Sequence, residues 1–182
     1  MKLVIHMLVT LTIIGVISGG VLSGINGWAE PKIIANRKAE TERAIFVVQN
    51  EATNYKKIED VNFEVYEVFD DSSNSLGYAL PYEGNGFQGN IRLIVGVNKD
   101  ADKVLGLEVL EQVETPGLGT KVTESPFTNQ FKNLVVIPEI KSVKGVEPQN
   151  PNEVQAITGA TISSKAIVRI VNEGIRKLKE NK

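Results

Sequence analysis

Residues 3–29 contain no Asp, Glu, Lys or Arg, and this 27-residue run constrains the fold more than any other feature of the chain. As a helix it extends roughly 40 Å, whereas a bilayer core of about 30 Å takes about 20 mostly apolar residues. Trp28 falls where an aromatic ring meets lipid headgroups. A cleaved signal peptide calls for a shorter apolar stretch, a more basic start and a small-x-small cleavage site, so a retained anchor fits better. Counting cations does not orient it, because Lys2 precedes the run while Lys32, Arg37 and Lys38 follow it. Gly15, Gly19, Ser23 and Gly27 recur every four residues as a smooth ridge. Such a ridge suits close packing against other membrane helices, or reflects the glycine content usual in membrane helices.

Composition excludes several chemistries. The chain has no cysteine and one histidine, His6, so by itself it supplies no iron–sulfur ligands, c-type haem attachment, usual zinc site, disulfide or Cys–His nucleophile. A lipoprotein anchor needs cysteine too. With 20 basic and 22 acidic residues, net −2, the chain carries no electrostatic footprint for nucleic acid.

Past the apolar run, Pro31 reads as the first turn of a charged stalk helix extending to about Val48. Alternation over residues 63–69, a turn at 70–75 and an extended run over 76–82 predict one hairpin. Residues 91–97 and 104–113, joined by a turn at 98–102, predict a second. A long loop at 114–126 precedes a short strand at 134–137, which Pro138 closes or confines to a sheet edge. Ala166, Ile167, Ile170, Val171, Ile175 and Leu178 mark the apolar face of a terminal helix. The expected fold class is α+β: an anchor at 1–29, a stalk at 30–60, and a compact domain at 61–182 with an antiparallel sheet and flanking helices.

The terminal helix is preceded by Gln155-Ala156-Ile157-Thr158-Gly159-Ala160-Thr161-Ile162-Ser163-Ser164. A helix start offers unpaired N–H groups and the positive end of a dipole, and Gly159 allows an anion close to the backbone. An anion site follows; equally, Thr158, Thr161 or Ser163 is an ordinary N-cap, the commoner role for such residues.

Here the sequence resembles a known family, the FMN-binding components of the Rnf electron-transport complex (its G component) and of the sodium-pumping NADH:quinone reductase (its C component). Thr158-Gly159-Ala160-Thr161 matches the core of the family's attachment pattern, Asp-x-x-(Ser/Thr)-Gly-Ala-Thr. Glu114-Thr115-Pro116-Gly117-Leu118-Gly119 resembles its second hallmark, the loop that approaches the isoalloxazine. Gly84-Asn85-Gly86-Phe87-Gln88-Gly89 resembles its glycine-aromatic loop. Gln155 departs from the pattern, standing where the acid belongs, with Glu153 two residues earlier.

The resemblance implies covalent FMN, its phosphate esterified to the Thr161 oxygen by a flavin transferase, with noncovalent FMN in the same pocket as the alternative. Thr158, Gly159, Ala160 and Ser163 are then expected around the phosphate, and Glu114, Thr115, Gly117 and Leu118 around the ring. Lys144 and Lys121 are candidates to favour the reduced flavin, and Phe87 or Phe127 to stack on it or to fill the core. Glu114 either opposes added electron density or pairs with a nearby lysine. No side chain is expected to act on a substrate, because the flavin carries the electron chemistry. The implied setting is a single-pass protein of the cell membrane with its domain on the extracytoplasmic side. It would relay electrons in an ion-translocating ferredoxin:NAD oxidoreductase, among other membrane and peripheral subunits. Chain length favours the Rnf branch over the quinone reductase branch, and a tethered binding domain without redox chemistry is the rival from another class.

Overall fold

The structure, a computed structural model, describes residues 1–181. It divides into two units, Met1–Glu40 and the chain from Thr41 onward. Helix α1 (Lys2–Val48) crosses that boundary in sequence without a break, and Pro31 lies inside it rather than at a fresh start. There its missing N–H leaves one helix hydrogen bond unmade, and its ring crowds the carbonyl four residues earlier.

In the first unit an 18-residue window has mean hydropathy 2.1 with none of it buried, long and apolar enough to cross a membrane. Three of its polar side chains are satisfied locally, as suits a hydrocarbon environment. Thr10 and Thr12 donate their hydroxyls to the carbonyls of His6 and Leu8 at 2.8 and 2.9 Å, and His6 Nδ1 donates to the carbonyl of Lys2 at 2.8 Å. Lys32 Nζ sits 3.7 Å from the centroid of the Trp28 ring, a cation–π pair suited to an interface.

The second unit is built on a six-stranded antiparallel sheet in the order β1-β2-β3-β4-β5-β6. The strands are β1 (Asn54–Lys57), β2 (Tyr66–Phe69), β3 (Ser75–Asn85), β4 (Asn90–Asn98), β5 (Lys103–Gln112) and β6 (Leu134–Val135). Both expected hairpins are present, as β2–β3 and β4–β5. The strand expected at 134–137 is the short edge strand β6, and Pro138 follows it. β1 lies inside the stretch read as a stalk, and the boundary between units falls at residues 40 and 41.

Both faces of the sheet are covered. The last turns of α1 bury Ala44, Ile45 and Val48 against Tyr66, Val68, Ala79 and Ile94. On the opposite face α3 (Thr161–Glu180) buries Ile167, Ile170, Val171 and Ile175 in a cluster with Leu80, Leu93 and Val95. Each such aliphatic side chain contributes about 1.5–3 kcal/mol on burial. β4 is therefore buried continuously from Ile91 to Val97. Arg92, on the α1 side, is held by Glu111 and Thr41: Nε and Nη2 each lie 3.0 Å from Glu111 Oε1, and Nη1 donates to Thr41 Oγ1 at 3.0 Å.

The loop expected at 114–126 is more ordered than its sequence suggests. It carries a 3-10 turn at Gly119–Thr123 and runs into the one-turn α2 (Ser125–Thr128). A second, parallel pair of strands, β7 (Lys141–Val143) and β8 (Glu153–Gln155), leads the chain to α3.

Candidate functional site

Three loops converge on a cleft of about 540 Å³. The first, at 86–89, turns the chain from β3 to β4; the second, at 114–119, leaves β5; the third, at 158–160, enters α3. The helix contributes Thr161, Ile162 and Ser163, and the segment after β7 contributes Lys144 and Gly145. Thr158, Gly159, Ala160, Thr161 and Ser163 all line this cleft, as do Glu114, Thr115, Leu118 and Lys144. Gly117 does not: at φ 74° it forms the tip of its loop, and its N–H donates to Thr120 Oγ1 at 3.0 Å. Lys121 lines a neighbouring hollow of about 330 Å³ with Gln155 and Thr158. Phe127 is buried in the core against Phe131, whereas Phe87 is 61% exposed at the cleft. Exposed Leu118 and Ile162 complete an apolar rim with it. A larger cleft of about 670 Å³ runs along α3 past Pro138, Arg169 and Arg176, but none of the sequence-predicted site residues reaches it.

The turn into α3 is not an ordinary cap. Ala160 occupies the N-cap position, and among the described residues no side chain caps the first-turn N–H groups. Thr158, Thr161 and Ser163 are therefore not caps. Ser164 braces the turn instead, accepting the Ile157 N–H at 3.0 Å and donating to the Ala160 carbonyl at 2.9 Å. Among the described residues the half-buried Thr161 hydroxyl has no hydrogen-bond partner. Gly159 has φ 85°, and a Cβ there would lie 3.3 Å from Leu118 Cδ2, so any other residue would be strained and would crowd the cleft.

This is a cradle for an anion: helix N–H groups without acceptors, a positive helix end, and a glycine that keeps the approach open. The apolar rim and the volume suit a planar ring system of cofactor size. The exposed Lys144 adds positive charge and forms no ion pair among the described residues. The residues present thus fit an anionic cofactor with a planar ring, of the size of FMN.

Among the described residues Glu114 pairs with no lysine. It is 4% exposed and accepts hydrogen bonds from the backbone N–H groups of Phe87 and Gln88 and from the Ser163 hydroxyl. Glu153, two residues before Gln155, is engaged within its own loop. Its carboxylate holds its own loop, accepting from Asn150 Nδ2 at 2.6 Å and from the N–H groups of Gln149 and Asn150 at 2.8 and 3.2 Å. The Asn150 side chain first, and the Gln149 backbone next, hold this carboxyl below the usual carboxylate range. A depressed folded-state pKa means that these bonds stabilise the loop above the unfolded pKa, about 4.3, and are lost as pH falls through the folded one. Amide resonances of Gln149 and Asn150 are accordingly expected to titrate only in that acid range; a transition near neutrality would contradict the assignment.

Residues 86–176 match the model of the FMN-binding domain family. The chain belongs to that family. It is 36% identical over 110 residues to the G component of the ion-translocating oxidoreductase complex of Methanosarcina acetivorans, covering 60% of this chain and 55% of the relative. It is 29% identical over 169 residues to the G component of the proton-translocating ferredoxin:NAD(+) oxidoreductase complex of Clostridium ljungdahlii, covering 92% and 88%. Among solved structures, NqrC of Shewanella oneidensis superposes with a TM-score of 0.59 at 25% identity, over 74% of this chain and 73% of that one. The chain thus spans about half the length of the Methanosarcina relative and most of the Clostridium one.

Proposed function

We propose that the chain is a membrane-anchored flavoprotein subunit that relays electrons through FMN esterified to Thr161, within an Rnf-type ion-translocating ferredoxin:NAD oxidoreductase. The observation that carries this reading is the meeting, in one cleft, of an unpartnered threonine hydroxyl, an uncapped helix start and a glycine at positive φ. When bound, the flavin supplies the one- and two-electron chemistry. The residues of the chain do the rest. First-turn N–H groups of α3 and Lys144 offset phosphate charge, Phe87, Leu118 and Ile162 shield the ring from water, and Thr161 tethers the group.

Helix α1 serves as the single-pass anchor, with the domain on the extracytoplasmic side and partners among the other membrane and peripheral subunits. A flavin transferase makes the ester. The names of the G-component relatives and their share of the chain favour the Rnf branch. The likeness to NqrC supports the FMN-binding component of a sodium-translocating NADH:quinone reductase as the second reading. Intact-mass spectrometry of the native protein, followed by peptide mapping, tests the proposal. The expected result is a mass raised by one FMN less one water, carried on the Thr161 peptide. Colourless native protein of unmodified mass would overturn it.

A further inference from the structure

The cleft wall contains a buried acid for which binding FMN gives no direct use. Glu114 Oε1 accepts the N–H groups of Phe87 at 2.8 Å and Gln88 at 3.1 Å, its Oε2 accepts the Ser163 hydroxyl, and its own N–H donates to Gln112 Oε1 at 2.6 Å. The carboxylate thus joins the 86–89 loop and the first turn of α3 to the 114–119 loop. The surroundings are shaped to it: a Cβ at Gly86 would collide with Oε1, and a Cβ at Gly119 would lie 2.7 Å from Glu114 Cβ and 2.8 Å from Oε2. No cation forms an ion pair with it among the described residues, and Lys144 is the other charged residue lining the cleft.

We propose that Glu114 is a positioning residue of the flavin site, a clasp whose carboxylate fixes the spacing of the three cofactor loops and sets a buried negative charge in the cleft wall. The role rests on the flavin reading given above. Reduction of the flavin adds negative charge, and a fixed negative charge in a poorly screened wall opposes it, lowering the potential. It also takes the Ser163 hydroxyl out of phosphate binding, since that hydroxyl is already donated to Oε2.

Two substitutions separate geometry from charge. In Glu114→Gln the amide oxygen still accepts from Phe87 and Gln88, and the amide N–H₂ donates to Ser163 Oγ, which turns to accept. In Glu114→Ala three donors lose their acceptor. The test is made on full-length protein in detergent, by flavin content, midpoint potential and amide exchange. Glu114→Gln is expected to keep wild-type FMN content and exchange at Phe87 and Gln88 while raising the potential. Glu114→Ala is expected to speed exchange at those two amides about tenfold or more. Wild-type exchange in Glu114→Ala, or an unshifted potential in Glu114→Gln, would overturn the proposal. If wild-type protein itself holds no FMN, the flavin reading fails on its own, and exchange at Phe87 and Gln88 still decides whether the clasp exists.

Discussion

Thr161→Val is expected to abolish covalent FMN entirely while leaving the domain folded. The substitution exchanges the hydroxyl for a methyl of nearly the same size, and both residues are β-branched, so the first residue of α3 keeps its shape. The lost hydroxyl has no hydrogen-bond partner among the described residues, so no buried group is orphaned by its removal. Stability should change by no more than about 0.5 kcal/mol, the scale of a site free of core, cap or network effects. Flavin released when the variant is denatured, with unmodified protein mass, would mark noncovalent binding in the same cleft. Retention of covalent flavin would place the ester elsewhere, with Thr158 as the next hydroxyl on the turn. Far-ultraviolet circular dichroism and a thermal melt beside the mass spectrum separate loss of the tether from loss of the fold.

That separation is possible because the attachment turn and the scaffold are specified by different kinds of sequence signal. The buried face of α3 is legible at a period near 3.6: Ala166, Ile167, Ile170, Val171, Ile175 and Leu178 are all buried. The two hairpins are legible from alternation and turn residues. Strand β1, Asn-Tyr-Lys-Lys, carries no apolar pattern, and its pairing with β2 is decided by that neighbour. β7 and β8 are three residues each, too short for any periodicity. Alternation in β4 points to one buried face, yet the end of α1 covers the other as well, a fact that belongs to tertiary packing. The cleft divides in the same way. Its hydroxyls and glycines stand out locally, whereas the partners of Glu114 lie 26, 27 and 49 residues away and follow only from the folded sheet. Gly117 and Lys121 lie in stretches adjoining the cleft and still fall outside it, because a loop's tip and its base face different ways.

Gly77→Val, by contrast, is expected to remove fold and flavin together. Gly77 sits in β3 at φ 142°, paired with Val68 on one side and Asn98 on the other, beside the irregularity in register between β2 and β3. A Cβ at this position would collide with the carbonyl oxygen of Val97 and lie 2.8 and 2.9 Å from the C and Cα atoms of Asn98. These are backbone atoms, so no rotamer change relieves the contact; β3 and β4 would have to part where their pairing begins. The strained φ adds to that cost. Together the two effects should cost about 3 kcal/mol or more, against a total of about 5–15 kcal/mol for a domain. The consequence reaches the cleft, because β3 continues past Gly77 to Asn85 and delivers the 86–89 loop whose amides Glu114 holds. Urea titration of the variant should show a midpoint far below wild type, and protein recovered from membranes should carry little FMN. A wild-type midpoint would mean that the bulge relaxes around a side chain and that the spacing of β3 and β4 is not fixed at this residue.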